Sequence, residues 1–378
     1  MKIAVFTDTF SPEINGVTNT LGRMTRFFDE NAIEYKIFAP RYDLRDRSPH
    51  TERFYSMKFL LYPQSRFTLP NLFRVDEVLR EFKPDIVQIM TEFNMGFIGL
   101  NYAKRNGIAS VSNYSTNFSQ YMEYYNLGFA KPALWDYLRW FHNQNKVTLC
   151  PSRETQRLLE AEGIENTDIL SRGIDISDFN PRYRNPALRE KLGLGDKTAL
   201  LYVGRVSIEK DLDVLQAAYR KISRDYGDEV ALIITGDGPY LEKARETFAG
   251  NTLFTGFKRG PELAEIYASC DVFVCPSSSE TFGNVVLEAM ASGLPVIGAD
   301  AGGVGELIDH GVNGLTFEAG NPQSLTGRLD ELLKDTALRQ RLASQGLSFA
   351  EGRSWQGVFS GLLETYGFLL ECDTGKTA

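Results

Sequence analysis

The sequence is poor in cysteine and histidine, and it has no long apolar run. Four cysteines and three histidines occur among its 378 residues. The cysteines are too scattered for a disulfide framework, and no pair of cysteines or histidines nearby completes a zinc site. No apolar run approaches the roughly 20 residues of a membrane-spanning helix. We therefore expect a cytoplasmic protein with reduced thiols and without a metal or another bound cofactor.

Acidic residues outnumber basic ones, 49 to 41, so the formal net charge is −8. This balance argues against a nucleic-acid-binding protein and leaves room for a local basic patch. The first residues lead directly into the strand-like run Ile3–Phe6, so we expect no signal peptide. The remaining composition, 43% hydrophobic and 24% charged, is that of an ordinary globular chain.

Short apolar runs alternate with amphipathic stretches of helical length. In the first half these runs are Ile3–Thr7, Tyr35–Ala39, Asp85–Met90, Ala109–Asn113 and Lys146–Cys150. In the second half they are Ala199–Val203, Val230–Thr235, Asp271–Cys275 and Pro295–Ala299. The alternation predicts an α/β fold in which each half forms a doubly wound parallel sheet covered on both faces.

A domain boundary is expected near Ser171–Asn185, where Gly173 and Pro181 interrupt the pattern. This places one Rossmann-like domain in residues 1–172 and a second one in residues 173–354. Ligands of such sheets bind beyond the carboxyl ends of the strands. We expect the two domains to face each other, with the binding site in the cleft between them.

Two loops that follow strands have the composition of anion-binding loops. In the segment Thr7–Val17, Gly16 can adopt positive φ and admit a substrate close to the backbone, although a glycine is also typical of an ordinary turn. In the segment Val203–Asp211, two cations lie at the ends of a loop that precedes a helix, Arg205 and Lys210. Such cations beside a helix N-terminus suit a diphosphate, and the alternative is a solvated surface pair.

The second loop runs into Asp211-Leu212-Asp213, which spells a D-x-D metal-binding signature. We interpret Asp211 instead as the N-cap, or as a first-turn acid, of the helix that carries Leu215 and Tyr219. On this interpretation no metal site is expected there.

The strongest motif is the segment Pro276–Met290, which follows a strand and opens a helix near Gly283. Glu280 lies just before that helix, where its carboxylate can accept hydrogen bonds from sugar hydroxyls. Glu288 lies within the helix and could hold a ribose diol, although a solvent-facing acid is the alternative. A glycosidase needs carboxyl groups about 5–9.5 Å apart, whereas eight helical residues rise about 12 Å, which disfavours that class of enzyme.

Two weaker glycine motifs follow strands in the second half, Thr235–Pro239 and Asp300–Glu306. Neither motif is specific by itself. No complete G-x-G-x-x-G follows the first strand, which argues against a nicotinamide-dependent dehydrogenase.

In combination, these segments resemble the retaining glycosyltransferases of family 4, which have the two-domain B-type fold, over nearly the whole chain. The resemblance rests on the G-R…K pair and on the E-x7-E element that runs from Glu280 to Glu288. It implies that Arg205 and Lys210 hold the donor diphosphate and that Glu280 binds hydroxyls of the donor sugar, so these three are the expected catalytic residues. It also implies that residues 355–378 form a helix that crosses back to the N-terminal domain.

The resemblance extends to the remainder of a donor site. The residues that would line the sugar and phosphate groups are Phe282, Gly283, Asn284 and Val285. Glu288 would hold the ribose, and Phe257 belongs to a segment that would meet the base. Gly16 matches a glycine that approaches the donor phosphates from the first domain.

One segment departs from the family pattern. Asn113–Phe118 resembles a segment that usually reads Y-H-T-N-F, with Ser115 where the family often has histidine. The candidate acceptor-side residues are Ser115, Thr116 and Asn117. Serine can form hydrogen bonds but carries no charge near neutral pH, and none of the three histidines lies in this segment. The difference bears on acceptor handling or rate and not on the donor site.

The segments Thr7–Val17 and Tyr114–Tyr125 are similar to those of the subgroup that transfers mannose, glucose or sulfoquinovose to lipids. The resemblance implies a metal-independent enzyme that moves a hexose, with retention, from a sugar nucleotide of the GDP-mannose or UDP-glucose type to a sugar or a membrane glycolipid. No residue is identified as a nucleophile. The alternatives are a nucleotide-sugar-binding protein with weak catalysis, a nucleotide-sugar epimerase, and a phosphorylase, which would need a lysine placed for pyridoxal phosphate.

The stretch 53–83 is basic although the chain is acidic. Its basic side chains are Arg53, Lys58, Arg66, Arg74, Arg80 and Lys83. Its large apolar side chains include Phe54, Tyr55, Met57, Phe59, Leu60, Leu61, Tyr62, Phe67, Leu69, Leu72 and Phe73. This mixture predicts contact with an anionic surface at the inner face of a membrane. The alternative is that residues 59–61 form a buried strand and that Val75, Val78 and Leu79 face a core.

Overall fold

The computed structural model describes residues 1–13, 15–42, 49–58, 66–117, 128–248 and 250–374. The chain forms two compact units. Unit 1 comprises Met1–Arg172 and Trp355–Ala378, and unit 2 comprises Gly173–Ser354. Each unit is built around its own parallel sheet.

Unit 1 contains a parallel sheet and a small antiparallel hairpin. Its strands are β1 (Lys2–Phe6), β2 (Glu34–Pro40), β3 (Thr51–Phe54), β4 (Ser56–Lys58), β5 (Arg66–Thr68), β6 (Ile86–Ile89), β7 (Ala109–Asn113), β8 (Val147–Cys150) and β9 (Thr167–Ile169). Within the described residues the parallel sheet has the order β3-β2-β1-β6-β7-β8-β9, and β4 pairs with β5. The order reverses direction at β1, as it does in Rossmann-type sheets.

Unit 2 contains a second parallel sheet. Its strands are β10 (Thr198–Val203), β11 (Val230–Thr235), β12 (Thr252–Gly256), β13 (Val272–Cys275), β14 (Val296–Ala299) and β15 (Leu315–Phe317). Among the residues that the structure describes, they pair in the order β12-β11-β10-β13-β14-β15. Parallel pairing requires crossover connections, which are helical here.

Helices connect the strands in both units. In unit 1 they are α1 (Gly16–Glu30), α2 (Leu72–Phe82), α3 (Asn94–Asn106), α4 (Lys131–His142) and α5 (Arg153–Ala161). In unit 2 they are α6 (Pro186–Lys191), α7 (Leu212–Tyr226), α8 (Leu241–Thr247), α9 (Gly260–Ser269), α10 (Asn284–Ala291), α11 (Gly302–Leu307), α12 (Pro322–Lys334) and α13 (Thr336–Glu351). The last helix, α14 (Trp355–Thr374), belongs to unit 1.

Strand β1 shows why an unbroken apolar run forms a central strand. Ile3 and Val5 pack in a cluster with residues of α1 and α14, whereas Ala4 and Phe6 pack in a cluster with residues of α2 and α3. All four side chains are fully buried, as expected for a strand covered on both faces. Gly99 lets α3 approach β1 closely, because a Cβ at that position would lie 2.7 Å from the Phe6 ring.

The last helix is anchored in the core of unit 1. Phe359, Leu362 and Tyr366 of α14 are buried in the cluster that contains Ile3. The Tyr366 hydroxyl donates a hydrogen bond to Oε1 of Gln88 on β6. A buried amide in the sheet therefore has its partner on α14, which ties the end of the chain to unit 1.

The predicted α/β fold with two parallel sheets is confirmed, and each predicted apolar run overlaps a strand. The apolar pattern does not predict β3, β9, β12 or β15, which are the edge strands of the two sheets. Strand β12, for example, is only half-buried throughout, so it lacks the continuous apolar run of a central strand. In the described part of the chain, no helix is long and apolar enough to cross a membrane.

Candidate functional site

The topology of unit 2 brings together residues that are expected to bind the donor sugar nucleotide. Arg205 and Lys210 follow β10, Glu280 follows β13, and these two strands are neighbours in the sheet. The carboxyl ends of neighbouring parallel strands lie at the same edge of a sheet, where ligands of such folds bind. The structure therefore brings together residues that are far apart in the sequence.

Lys210 and Glu280 are in direct contact. The Lys210 Nζ atom donates a hydrogen bond to Glu280 Oε1 at 2.6 Å. Both side chains are mostly shielded from solvent, with 12% and 26% of their surfaces exposed, so their attraction is stronger than that of an open surface pair. The contact fixes a cation and a hydrogen-bonding carboxylate next to each other.

Arg205 has an acidic neighbour that the sequence analysis did not identify. Its Nη1 atom lies 3.7 Å from Oε1 of Glu209, whose side chain is fully buried. Ser207 donates to the same carboxylate oxygen at 2.6 Å, and Ser279 donates to the Glu209 carbonyl oxygen at 2.7 Å. Glu209 thus joins the loop of Arg205 to the loop of Glu280. The i,i+4 spacing of Arg205 and Glu209 is the sequence signal that could have found this pair.

Asp211 holds the same two loops together. It is the N-cap residue of α7, but its side chain makes no cap hydrogen bond. The carboxylate instead accepts hydrogen bonds from the Ser278 backbone N–H at 2.8 Å and from the Ser278 hydroxyl at 2.7 Å. The predicted N-cap position is confirmed, whereas the expected capping bond is replaced by a bond across the loops. Over the described residues, no group of three or more His, Cys, Asp or Glu side chains is arranged to hold a metal ion.

Two helices of unit 2, α7 and α10, begin at this edge of the sheet. Asp211 before α7 and Gly283 before α10 make no side-chain cap hydrogen bond. The first N–H groups of a helix lack partners within the helix, and its dipole favours negative charge at that end. Together with the cations Arg205 and Lys210, this arrangement suits a diphosphate.

Glu288 is oriented by a tyrosine from another helix. The hydroxyl of Tyr267 on α9 donates to Glu288 Oε2 at 2.9 Å. Burial, and then the adjacent carboxylate, raise the pKa of Tyr267 well above its usual value, so the hydroxyl remains a donor. Glu288 is half-buried rather than solvent-facing. A fixed carboxylate of this kind can accept hydrogen bonds from a diol.

The remaining donor candidates lie at the end of β12 and around the start of α10. Phe257 follows β12 and is 55% exposed, so its ring is accessible to a ligand. Phe282 is buried, and Gly283 has a φ of 96°, in the left-handed region that favours glycine. Asn284 and Val285 are half-buried in the first turn of α10.

The two weak glycine motifs of unit 2 support the loops described above. A Cβ at Gly236 would lie 1.8 Å from the Gly204 carbonyl oxygen, in the Arg205 loop. A Cβ at Gly303 would lie 2.3 Å from the Phe282 Cα atom, in the loop of the E-x7-E element. Larger residues would displace the backbone at both places, so these glycines shape the candidate donor site.

In unit 1, the opening segment begins a helix and caps another. Gly16 is the first residue of α1, with Asn15 as its N-cap, so the positive φ that glycine permits is not used there. Asp8 accepts hydrogen bonds from the Met95 backbone N–H at 2.9 Å and from the Thr91 hydroxyl at 2.7 Å, at the start of α3. Burial raises the pKa of Asp8 to about 6.

The candidate acceptor-side residues follow β7. Tyr114 is buried, whereas Ser115, Thr116 and Asn117 are half-buried. The structure also places a histidine beside this segment, because the ring of the buried His142 lies 5.9 Å from the Tyr114 ring. The sequence offers no signal for this contact, since His142 lies on α4.

A buried polar cluster surrounds His142. Its Nδ1 atom lies 2.9 Å from Ser112 Oγ, and its Nε2 atom lies 3.7 Å from Glu92 Oε1. Within the described chain, His142 Nε2, Glu92 Oε1 and the Tyr114 hydroxyl have no hydrogen-bond partner. Buried polar atoms usually have partners, so the cluster retains hydrogen-bonding capacity next to the acceptor-side segment.

The basic stretch of unit 1 is only partly available to a surface. Arg53 donates to the carbonyls of Pro40 and Ser11, and Arg74 pairs with Glu52 and Glu77. The apolar side chains that are buried are Phe54, Val75, Val78 and Leu79. Those that are exposed are Tyr55, Met57, Phe67, Leu69, Leu72 and Phe73. The expected core-facing side of α2 is confirmed, and residues 59–62 lie outside the described residues.

Two α/β units, each built around its own parallel sheet, are the architecture of glycosyltransferases of the B-type fold. Residues 14–178 match the family model described as Glycosyltransferase Family 4, and residues 185–348 match the one described as Glycosyl transferases group 1. A GDP-mannose-dependent alpha-mannosyltransferase of Mycobacterium tuberculosis is 34% identical over 97% of this chain and 96% of its own length. The chain belongs to glycosyltransferase family 4.

Another curated relative and two solved structures are also similar to this chain. The sulfoquinovosyl transferase SQD2 of Arabidopsis thaliana is 35% identical over 75% of this chain and 57% of its own length. The sucrose-phosphate synthase of Thermosynechococcus elongatus has a TM-score of 0.80 and 18% identity, covering 98% of this chain and 99% of its own. Anabaena HepE in complex with UDP has a TM-score of 0.77 and 21% identity, covering 97% of this chain and 100% of its own. At these identities the two structures show the shared fold.

Proposed function

We propose that the protein is a retaining, metal-independent glycosyltransferase that moves a hexose from a nucleotide-diphosphate sugar to a lipid-linked acceptor. The observation that carries this proposal is the 2.6 Å contact of Lys210 with Glu280 beside two helix N-termini without side-chain caps. Lys210 and the helix N-termini supply positive charge for a diphosphate. The Glu280 carboxylate supplies a hydrogen-bond acceptor for hydroxyl groups of the sugar.

The departing diphosphate is the charge that such an enzyme must stabilise. Arg205, Lys210 and the N–H groups at the starts of α7 and α10 provide fixed positive charge where that charge develops. In this proposal they take the place that a divalent ion occupies in metal-dependent transferases, so magnesium is not required. Asp211 is bound to Ser278 and is therefore committed to the loops rather than to a metal.

The two carboxylates of the E-x7-E element have separate roles in this proposal. Lys210 fixes the position of Glu280, so that its carboxylate can accept hydrogen bonds from hydroxyls of the donor sugar. Tyr267 fixes Glu288, which accepts hydrogen bonds from the ribose. Because each carboxylate has its own partner, the pair is unlike the acid and nucleophile of a glycosidase, which act on one bond.

Retention and a mannose donor are supported by the relatives. Two relatives, from Mycobacterium tuberculosis and Mycolicibacterium smegmatis, are named GDP-mannose-dependent alpha-mannosyltransferase, and the matches cover 96% and 98% of their lengths. GDP-mannose carries an α-linked sugar, so an α-linked product means retention. We therefore propose GDP-mannose as the donor, with UDP-glucose as the alternative.

Thermal unfolding with a panel of sugar nucleotides tests the donor assignment. A ligand that binds only the folded state raises the unfolding temperature by mass action. GDP-mannose should stabilise the protein, and Arg205→Ala should lose that effect. If UDP-glucose alone stabilises the protein, UDP-glucose is the donor instead of GDP-mannose. Stabilisation without transfer to any acceptor would indicate a nucleotide-sugar-binding protein of the same fold.

The exposed apolar side chains of unit 1 are the proposed membrane contact. Leu72 and Phe73 at the start of α2 are 57% and 88% exposed, and the β4–β5 hairpin exposes Met57 and Phe67. A relative from Streptococcus pneumoniae that is 29% identical over 79% of this chain is named alpha-monoglucosyldiacylglycerol synthase, which fits an acceptor at a lipid surface. Apolar anchors beside basic residues bind anionic interfaces.

Co-sedimentation with vesicles of phosphatidylcholine and phosphatidylglycerol tests this contact. The wild-type protein should bind at low salt, and Leu72→Glu combined with Phe73→Glu should abolish binding. Phe368→Glu is the matched control, because Phe368 is 65% exposed on α14, away from this patch in sequence. Equal binding of all three proteins, or no binding at low salt, would favour a water-soluble acceptor.

A further inference from the structure

Arg172 is a buried cation in unit 1. It follows β9, and only 5% of its surface is exposed. Its Nη1 atom donates to the carbonyl oxygens of Leu170 at 2.9 Å and Ser171 at 3.4 Å, and its Nη2 atom donates to Ser115 Oγ at 3.4 Å. All of these acceptors are uncharged. They satisfy N–H donors of the guanidinium without neutralising its charge.

No acid balances this charge within the part of the chain that the structure describes. The ionisable group that acts on Arg172 is the thiol of Cys150, and burial raises the pKa of that thiol to about 12. Burial lowers the pKa of Arg172 to about 10, which leaves it protonated at neutral pH. A buried cation is costly unless an anion accompanies it, so the missing partner calls for an explanation.

The position of Arg172 indicates what the partner is. Ser115 follows β7 and Arg172 follows β9, so both lie at the carboxyl edge of the unit 1 sheet, where ligands of such sheets bind. A guanidinium binds an oxyanion through two parallel hydrogen bonds, and its long bond to Ser115 is readily exchanged for a shorter one. A serine at position 115 also avoids the second positive charge that a protonated histidine would place there.

We propose that Arg172 and Ser115 form an oxyanion subsite that binds a phosphate or carboxylate group of the acceptor. The proposal rests on the proposed transferase function to the extent that it assigns the anion to the acceptor. The donor diphosphate is the other possible source of the same chemistry. A purely structural Arg172 would only join the turn after β9 to Ser115.

Binding of inorganic phosphate tests the subsite without any need for turnover. The donor site also attracts phosphate, so it is first saturated with GDP, or with UDP if that nucleotide is the one that binds. Added phosphate should then raise the unfolding temperature of the wild type further, and this increment should vanish in Arg172→Gln. Arg172→Lys, which keeps the charge, should retain part of it. Arg157→Gln, at an exposed arginine of α5 in the same unit, should behave as the wild type.

A pair of acceptors that differ by one carboxylate assigns the anion to the acceptor. With octyl glucuronide and octyl glucoside as acceptors, the wild type should prefer the glucuronide in kcat/KM by about 10- to 100-fold, the range of hydrogen bonds to charged groups. Arg172→Gln should reduce this ratio to about one, whereas Arg157→Gln should leave it intact. Circular dichroism confirms that each variant is folded.

Three results would overturn the proposal. A phosphate increment that is equal in Arg172→Gln and in the wild type would show that the subsite does not exist. A ratio of kcat/KM that is unaffected by Arg172→Gln would show a structural role. Weaker binding of the sugar nucleotide to Arg172→Gln would assign the anion to the donor. If no transfer occurs with any acceptor, the transferase function fails, while the phosphate test still decides whether Arg172 binds an oxyanion.

Discussion

Lys210 and Glu280 are separated by 70 positions in the sequence, yet their charged atoms lie 2.6 Å apart. The contact exists because β10 and β13 are neighbours, so the loops that follow them meet. A lysine that was expected to bind only phosphate therefore also fixes the carboxylate that was expected to bind sugar. In the proposed function, this one pair would couple donor recognition to leaving-group stabilisation.

Arg205→Ala and Lys210→Met should each weaken the binding of nucleoside diphosphate by about 10- to 100-fold, because each removes hydrogen bonds to a charged group. Isothermal titration measures this loss. Lys221→Met, at an exposed lysine of α7, is the matched control and should bind as the wild type does. Unchanged affinity in both site variants would mean that the loop after β10 is not the diphosphate site.

Tyr267→Phe should weaken nucleotide binding by about ten-fold and leave the fold intact, because it removes the 2.9 Å hydrogen bond that orients Glu288 and, besides it, only a long 3.4 Å bond to the Val285 carbonyl oxygen. Isothermal titration with GDP and with an analogue of GDP that lacks the ribose hydroxyls should show that the substitution weakens the binding of GDP alone. Tyr219→Phe is the control, since Tyr219 is also buried in unit 2 but makes no hydrogen bond to Glu288. If both variants lose affinity equally, Glu288 does not hold the ribose.

Asp8 should make the stability of the protein depend on pH. Burial raises its pKa from 3.8 to about 6 in the folded protein, so between these values the unfolded chain releases its proton first and the free energy of unfolding falls as pH rises. A shift of this size corresponds to about 3 kcal/mol. Above pH 6 the effect of this group is complete.

Urea unfolding of the wild type and of Asp8→Asn at pH 4 and pH 7 measures this dependence. The free energy of unfolding of Asp8→Asn, relative to that of the wild type, should be larger at pH 7 than at pH 4. Asp136→Asn, at an exposed aspartate of α4, should show no such gain. If the free energies of unfolding of the wild type and Asp8→Asn differ by the same amount at both pH values, burial does not raise the pKa of Asp8.

Ser115→His should alter acceptor use and leave donor affinity largely unchanged, because Ser115 lies in unit 1 and the candidate donor residues other than Gly16 lie in unit 2. A protonated histidine next to Arg172 would add like charge, so use of an anionic acceptor should decrease more at pH 6 than at pH 8. Steady-state kinetics with donor and acceptor varied separately give both parameters. A large loss of donor affinity without an effect on acceptor use would show that this segment has been misassigned.

The fold was accessible from the sequence because central parallel strands are unbroken apolar runs. Val230–Thr235 and Ala109–Asn113 match observed strands at both ends. The opposite is true of β12 and β15, whose positions at the edges of the sheet leave them short or half-buried. The apolar pattern of a sequence identifies strands that are buried on both faces of a sheet, but it says little about strands at the edges of the sheet.

The sequence predicts residues of the candidate site only where they belong to a recognisable motif. Arg205, Lys210, Glu280 and Glu288 were identified in this way, and their roles stay predictions. Tyr267 and Arg172 were not identified, because each contacts its partner in the candidate site from a position distant in the sequence. Contacts of this kind are set by the packing of whole elements, which a single sequence does not display.

The role of Glu280 is the most direct test of the account. Transfer from GDP-mannose to a lipid acceptor should be measured in the presence of a chelator for the wild type, for Glu280→Ala and for Glu262→Ala, whose glutamate is an exposed acid of unit 2. We predict full activity of the wild type and the control without metal, an α-linked product, and a loss of about two to three powers of ten in Glu280→Ala with its fold intact. Activity of Glu280→Ala within a few-fold of the wild type, or wild-type activity that is lost in chelator and restored by magnesium, would contradict it.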